Sequence, residues 1–253
     1  MKVKVGVDLG STVIKLVLSD GEKALWRGQT ATAPGQEKLA QGLLRQGLSE
    51  LGLDEGAVGR VAATGYGKGL CGLAEARVDE ITANAAGAFR LSQGQARRVV
   101  NIGGQDVKVI RLDDKGRVAD FKMNDKCAAG TGRFFELVAR LLDAPLEDFP
   151  RLSQEATLDV TLNSTCVVFA ESEMVSLMAR GIKNGDIIKA LHGSVARRVA
   201  AMLSSADLNE AIWLDGGPAR NPALANALAD ELMAEVKVLE APQYTVAFGA
   251  TLA

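Results

Sequence analysis

A glycine turn flanked by β-branched runs occurs twice in this chain, and the repeat restricts the fold more than any other feature. The first copy reads V-G-V-D-L-G-S-T-V-I-K-L-V-L from Val5 to Leu18, and the second R-V-V-N-I-G-G-Q-D-V-K-V-I-R-L from Arg98 to Leu112. Asp8 aligns with Asn101, Gly10 with Gly103 and Lys15 with Lys108 at one constant offset. An apolar run, a polar residue, a glycine turn and a second alternating run are the signature of a hairpin. Glycine in such a turn lets backbone N–H groups converge on an anion, and a neighbouring hydroxyl or amide adds a donor. A single glycine-rich hairpin is more often only a turn. A matched pair favours two half-domains that hold a nucleotide's phosphates between them.

At 253 residues the chain is long enough for two lobes of ordinary size. Hydrophobic residues make up 47% and aromatics only 4%, so the core is aliphatic and alanine-rich. A formal charge of -2 argues against a non-specific partner of nucleic acid or anionic membrane. No apolar run is long enough to span a bilayer, and Lys2–Asp8 reads directly as a strand with no apolar leader before it, so a cytoplasmic protein is expected.

Periodicity predicts three strands, then a helix from about Gln36 to Leu53 with Leu39, Leu43, Leu44, Leu48 and Leu51 on one face. Arg60–Thr64 reads as a buried strand entering the loop Gly65-Tyr66-Gly67-Lys68-Gly69, and Glu80–Leu91 as a helix. After the second hairpin, helices are expected over Gly130–Leu142, Val167–Arg180, Asp186–Ala206 and Asn221–Glu235. Pro222 suits a first helical turn. Ile212–Asp215 and Val236–Leu239 read as short strands, and Tyr244–Ala253 as a small-residue helix. The expectation is an α/β protein with a central cleft. Its first lobe would comprise 1–95 plus the C-terminal helix 241–253, and its second 96–240.

Three cysteines, Cys71, Cys127 and Cys166, are too few and too uneven for a disulfide framework. Cys127 and Cys166 each follow polar residues and precede a helical pattern. A thiolate at a helix N-terminus is stabilised by the free N–H groups and makes a good ligand for a metal or cluster. Taken singly, each would ordinarily be a small buried hydrophobe, and neither stands in a C-x-x-C. Two cysteines cannot complete the four-thiolate shell of a 4Fe–4S cluster, whereas a symmetric dimer would. Cys71 reads as structural. His192 is the only histidine, so neither a zinc site nor a triad can be built around it, and it reads as a packing or hydrogen-bonding residue. Asp113-Asp114 reads as a solvated hairpin tip.

Six segments carry a wider likeness: D-L-G-S-T (8–12), A-T-G-Y-G (63–67), G-G-Q-D-V-K-V-I (103–110), N-D-K-C-A-A-G-T-G-R-F (124–134), S-T-C-V-V-F-A-E-S-E (164–173) and G-G-P-A-R-N (216–221). In this order they span the chain and closely resemble the activators of 2-hydroxyacyl-CoA dehydratases, also called component A or archerase, within the benzoyl-CoA-reductase-type ATPases. The resemblance implies the actin-like ATPase (ribonuclease H-like) fold, with two lobes and a nucleotide cleft between them. It further implies a homodimer with one bridging 4Fe–4S cluster, and ATP hydrolysis coupled to delivery of one low-potential electron to a partner iron–sulfur enzyme. Ferredoxin or flavodoxin would be the electron donor.

By that likeness Cys127 and Cys166 are the cluster ligands. Gly10, Ser11, Thr12 and Lys15 would hold phosphates from the first hairpin, and Gly103, Gly104 and Gln105 from the second. Gly216, Gly217 and Asn221 would line the adenosine side, with Gln243 near the base. Asp8 and Asp106 are the expected catalytic carboxylates and outer-sphere partners of magnesium, an ion that keeps its waters. The family commonly has aspartate where this chain has Asn101, so restoring it (Asn101→Asp) is expected to raise hydrolysis. Three other functions stay open at this level: a reductase of a double-cubane iron–sulfur protein, a small-molecule kinase of the same fold with Asp106 as base, and an actin-like or iron-sensing scaffold.

Overall fold

Odd-numbered apolar residues from Val3 to Leu9 and even-numbered ones from Ile14 to Leu18 are all buried, as expected of paired strands with one face against a helix. The computed structural model describes residues 2–124, 129–162, 166–204, 207 and 209–253. The first elements are β1 (Val3–Leu9), β2 (Val13–Ser19), β3 (Ala24–Ala31), α1 (Gln36–Glu50), β4 (Val58–Thr64), β5 (Ala76–Arg77) and α2 (Glu80–Leu91). There follow β6 (Arg98–Ile102), β7 (Val107–Leu112), β8 (Val118–Asn124), α3 (Gly132–Leu141), α4 (Phe149–Gln154), α5 (Val167–Ala179) and α6 (Asn184–Ala200). β9 (Ile212–Asp215), α7 (Pro222–Leu232), β10 (Val236–Val238) and α8 (Thr245–Ala250) complete the chain.

The strands form two five-stranded sheets, in the orders β3-β2-β1-β4-β5 and β10-β9-β6-β7-β8. Reversing the second order shows the same connectivity twice: three consecutive strands, then a return strand beside the first, then a fifth outside it. β1 is antiparallel to β2 and parallel to β4, while β6 is parallel to β9 and β9 to β10. The repeat in the sequence is therefore a repeat of topology. Two compact units result: Met1–Arg97 with Ile110–Asp120 and Leu239–Ala253, and Arg98–Val109 with Phe121–Val238. The turn between β7 and β8 thus belongs to the first unit.

In the first unit, Val3, Val5, Val7, Ile14, Leu16 and Val61 pack with Ala40, Leu43 and Leu48 of α1. The opposite face is closed by contact between backbones. A Cβ on Gly6 would collide with the carbonyl of Ala247, one on Gly87 with that of Thr245, and one on Gly249 with that of Ala83. Glycine is needed at all three because α8 lies between α2 and β1 without room for side chains. Cys71 is fully buried in the α1-side core, as its structural role required. The second unit has one large core, in which Phe134, Phe135 and Phe149 supply the aromatic bulk among Ile, Leu and Val of α6, α7, β6 and β9.

Several elements differ from the pattern expected. β8 and α4 were not foreseen, since β8 exposes Phe121 and Met123 and shows no clean alternation. The helix expected over 186–206 ends at Ala200, and that over 221–235 ends at Leu232, where Met233 turns left-handed with φ 49° before β10. The last helix is only six residues long. The hairpin tip does form: Asp113 Oδ1 accepts N–H groups from Lys115 and Arg117, both at 2.9 Å.

The glycine contact makes a direct prediction. Gly249→Ala forces backbone apart in a seam with no flexible side chain to yield, and should cost about 3 kcal/mol, near the upper end for overpacking. Urea denaturation of the variant against the wild type would measure it.

Candidate functional site

Both glycine turns sit at the carboxyl ends of a parallel strand pair, the place where open α/β sheets bind ligands. In the first unit β1 ends Asp8-Leu9 and the chain turns through Gly10, Ser11 and Thr12 into β2. Thr32 braces this turn: its hydroxyl donates to the Gly10 carbonyl at 2.8 Å, and its N–H to the Thr12 carbonyl at 2.9 Å. Ser11 and Thr12 are half-buried at the apex. Asp8 and Lys15 are cross-strand neighbours, and Lys15 Nζ donates to Asp8 Oδ2 at 3.0 Å. On the other side of β1, Asp8 is level with Thr64 of β4. Gly65, at φ 83°, follows Thr64 so closely that a Cβ would meet the carboxylate of Asp8.

The second unit repeats this plan. β6 ends Asn101-Ile102, and the turn Gly103-Gly104-Gln105-Asp106 is closed by the Gly103 N–H to the Asp106 carbonyl, 2.9 Å. Gln105 is exposed and the two glycines half-buried. Lys108, itself 1% exposed, donates to Asp106 Oδ1 at 2.6 Å. On the other side of β6, Asn101 is level with Asp215 of β9, and its Nδ2 donates to Asp215 Oδ1 at 2.7 Å. Gly216, at φ 94°, follows Asp215, and a Cβ there would strike the carbonyl of Ile102.

The first turn of α3 is tied to this second glycine turn. Gly132 N–H donates to the Gly103 carbonyl at 2.8 Å, and Arg133 N–H to the Gly104 carbonyl at 2.9 Å. Carbonyls that would face solvent are thereby satisfied by helix-start donors, which otherwise lack partners.

Around Gly216, the expected adenosine ligands divide. Gly217 is exposed with open space beside it. Asn221 instead caps α7: its side-chain oxygen accepts N–H from Ala223 (3.0 Å) and Leu224 (3.4 Å), and its Nδ2 donates to His192 Nε2 at 2.8 Å. That carboxamide is committed to the protein, so Asn221 shapes the loop from within. His192 is the hydrogen-bonding residue expected, 2% exposed, and burial pushes its pKa down to about 4. Gln243 belongs to the first unit, in the turn Pro242–Tyr244, and its Oε1 is buried with no partner among the described residues.

Of the cysteines, Cys166 is exposed and is the N-cap residue of α5, with extended φ −105° and ψ 139°. Cys127 lies outside the described residues. Among the described residues no group of three or more His, Cys, Asp or Glu could hold a metal ion. No helix among them is long and apolar enough to cross a membrane.

Two residues escaped the sequence-level site. Lys108 is the buried partner of Asp106, and Asp215 holds Asn101. Lys108 was available from the repeat, because it aligns with Lys15. Asp215 matches Thr64 only through the strand pairing, which no local signal in the sequence shows. The Asn101–Asp215 pair bears on the expected effect of aspartate at 101. Aspartate at 101 would set two buried carboxylates within hydrogen-bond distance, where like charges cannot both ionise, so it should lower hydrolysis.

The profile of the BadF/BadG/BcrA/BcrD ATPase family matches residues 5–253. The chain belongs to that family. It is similar to the activator of lactoyl-CoA dehydratase of Anaerotignum propionicum, 38% identical over 247 residues, covering 98% of this chain and 95% of that protein. Among solved structures, the activator of the 2-hydroxyisocaproyl-CoA dehydratase from Clostridium difficile, with bound ADPNP, superposes with TM-score 0.90 at 34% identity over 99% of this chain and 93% of that one. The (R)-2-hydroxyglutaryl-CoA dehydratase component A of Acidaminococcus fermentans superposes with TM-score 0.91 at 34% identity, over 100% and 97%. This family member has the actin-like ATPase fold.

Two predictions follow from the geometry. Alanine at Gly65 is strained by the positive φ and collides with Asp8, so Gly65→Ala should displace that carboxylate and cut ATP hydrolysis about 10-fold or more, read as phosphate release. His192 has a folded pKa below its unfolded 6.5, so its contribution to stability is intact above pH 6.5 and is lost as pH falls toward about 4. The loss should reach roughly 3 kcal/mol across that window. Denaturation midpoints against pH should show it, and His192→Gln should flatten that segment of the curve.

Proposed function

We propose that this chain is an ATP-driven activator that passes one low-potential electron to a 2-hydroxyacyl-CoA dehydratase-like iron–sulfur enzyme. Its full-length similarity to dehydratase activators supports that role. The observation that carries the electron-transfer part is the placement of Cys166. It is exposed at the head of α5, a helix that buries only Ala170, Met174 and Leu177. The same helix exposes Val168, Phe169, Val175 and Met178. An apolar surface beside a free thiol fits a second copy of this chain. The donor set also fits the group: a soft thiolate at a helix start, free of any disulfide, suits iron–sulfur ligation.

Cys127 and Cys166 from two copies would hold one 4Fe–4S cluster, which supplies the low-potential electron when bound. The rest is the work of the protein. Ser11, Thr12 and Lys15 bind phosphate oxygens on the first turn, and the backbone N–H of Gly104 with Gln105 on the second. Gly103, whose own N–H closes the turn on Asp106, gives the close approach rather than a donor. Gly217 leaves room for the nucleoside, and Gln243 offers an acceptor to it. Lys15 and Lys108 now neutralise Asp8 and Asp106; when phosphate arrives, Lys15 can turn to it and free Asp8 to orient magnesium-bound water. Loss of the γ-phosphate releases the grip on the second turn. Because that turn is bonded to Gly132 and Arg133, its displacement pulls on α3, in the chain just beyond Cys127. We place this activity in the cytoplasm, where thiols stay reduced.

Anaerobically purified protein should be a brown dimer with about four irons per two chains, as a four-thiolate shell requires. Cys166→Ala and Cys127→Ala should each abolish the colour, and Cys71→Ala should keep it. Reduction of a dehydratase partner should require ATP and fail with ADP. A colourless dimer, full iron in Cys166→Ala, or nucleotide-independent electron transfer would defeat the assignment.

A further inference from the structure

The two units carry the same pair of positions at the same place in their sheets, and the chemistry at that pair is reversed. In the first unit the hairpin strand β1 bears the acid, Asp8, and the return strand β4 bears a neutral hydroxyl, Thr64. In the second the hairpin strand β6 bears a neutral carboxamide, Asn101, and the return strand β9 bears the acid, Asp215. All four side chains are buried, with exposures of 3%, 0%, 4% and 0% in that order. Each acid lies next to a left-handed glycine, Gly65 at φ 83° and Gly216 at φ 94°, that brings backbone down onto the hairpin strand. Asp106 cannot be the counterpart of Asp8. In the repeat it aligns with Val13, and Gly103 faces its carbonyl as Gly10 faces that of Val13.

We propose that Asp215 is a positioning residue for ATP hydrolysis, acting through Asn101, and that it is the second unit's counterpart of Asp8. Asp215 has no exposed surface and so cannot itself touch a nucleotide. It can hold Asn101. With one amide hydrogen given to Asp215 Oδ1 at 2.7 Å, the Asn101 carboxamide is fixed in one orientation directly before the glycine turn. A fixed carboxamide oxygen at that point can accept a hydrogen bond from a water beside the phosphates, as amide side chains do in other nucleotide hydrolases. In the step itself the water oxygen bonds to the γ-phosphorus as the bridging bond to ADP breaks. The water proton leaves with the phosphate product, so no side chain is consumed.

The proposal rests on the ATPase reading above, and the test separates the two. Phosphate release is measured with magnesium–ATP on the full chain as wild type, D215N, N101D and the exchanged double variant N101D/D215N. D215N should lower kcat about 10- to 100-fold, the usual loss when an outer partner is removed, with KM for ATP little changed. N101D should also lose activity, because its two acids share a proton. The exchange keeps one acid and one amide, in the order found in the first unit, and should recover most of the loss. Such recovery would not be seen if each residue merely filled space. If either single variant fails to fold, an exchanged protein that folds and hydrolyses ATP still supports the proposal. D215N at the wild-type rate beside an active wild type would overturn it while leaving the ATPase reading intact. An exchanged variant that melts like the wild type yet remains as slow as the worse single variant would also overturn it. A wild type that binds and hydrolyses no ATP would overturn both.

Discussion

Gly65 and Gly216 lie where a return strand ends beside the strand that enters a glycine turn. Each adopts a left-handed backbone that residues with a Cβ rarely reach. Each also presses on its neighbour so closely that any side chain would meet the Asp8 carboxylate or the Ile102 carbonyl. The polar groups at the site depend on that approach. Asp8 is shielded from water by the Gly65 segment, and the Asn101–Asp215 pair by the segment of Gly216. A shielded carboxylate keeps its partners at short range and its orientation fixed, which is what positioning a phosphate or a water requires.

The second constraint lies at the start of α3. Helix starts carry unsatisfied N–H groups, and two of these, on Gly132 and Arg133, are spent on carbonyls of the turn at Gly103 and Gly104. The Gly103 N–H closes the turn on Asp106, which leaves those of Gly104 and Gln105 to face an anion, and the two bonds from α3 tie the helix to the turn. Glycine at 132 eases this approach, since a Cβ there would lie 3.3 Å from both the Gly103 carbonyl oxygen and the Gly104 Cα. In the proposed mechanism a changed phosphate contact would reach α3 directly through these two hydrogen bonds.

The packing around these sites is built from small residues. α2 and α8 approach through Gly87, Gly249, Ala83 and Ala250, with Gly6 of β1 beneath. Such seams resist sliding because no side chain can change rotamer to absorb the movement. The surface of α5 contrasts with this, exposing Val168, Phe169, Val175 and Met178 around the head residue Cys166. Tight seams suit the hydrolytic machinery, and an exposed apolar helix suits assembly.

Much of this protein is written locally. The two glycine turns, the helices Glu80–Leu91 and Val167–Ala179, the cap residue Cys166 and the buried Cys71 all follow from short-range periodicity and composition. Those signals act within a few residues, so a sequence displays them directly. The repeat further determined that the topology would occur twice. Helix ends were less legible, because no proline or glycine follows Ala200 or Leu232 to mark them. Pairings across long stretches of chain were decided only by folding. Asn101 meets Asp215, and Asn221 meets His192, because β9 returns beside β6 and α6 packs against the start of α7. No local preference brings such residues together; burial does, since a polar group removed from water must find its partner wherever the fold has placed one.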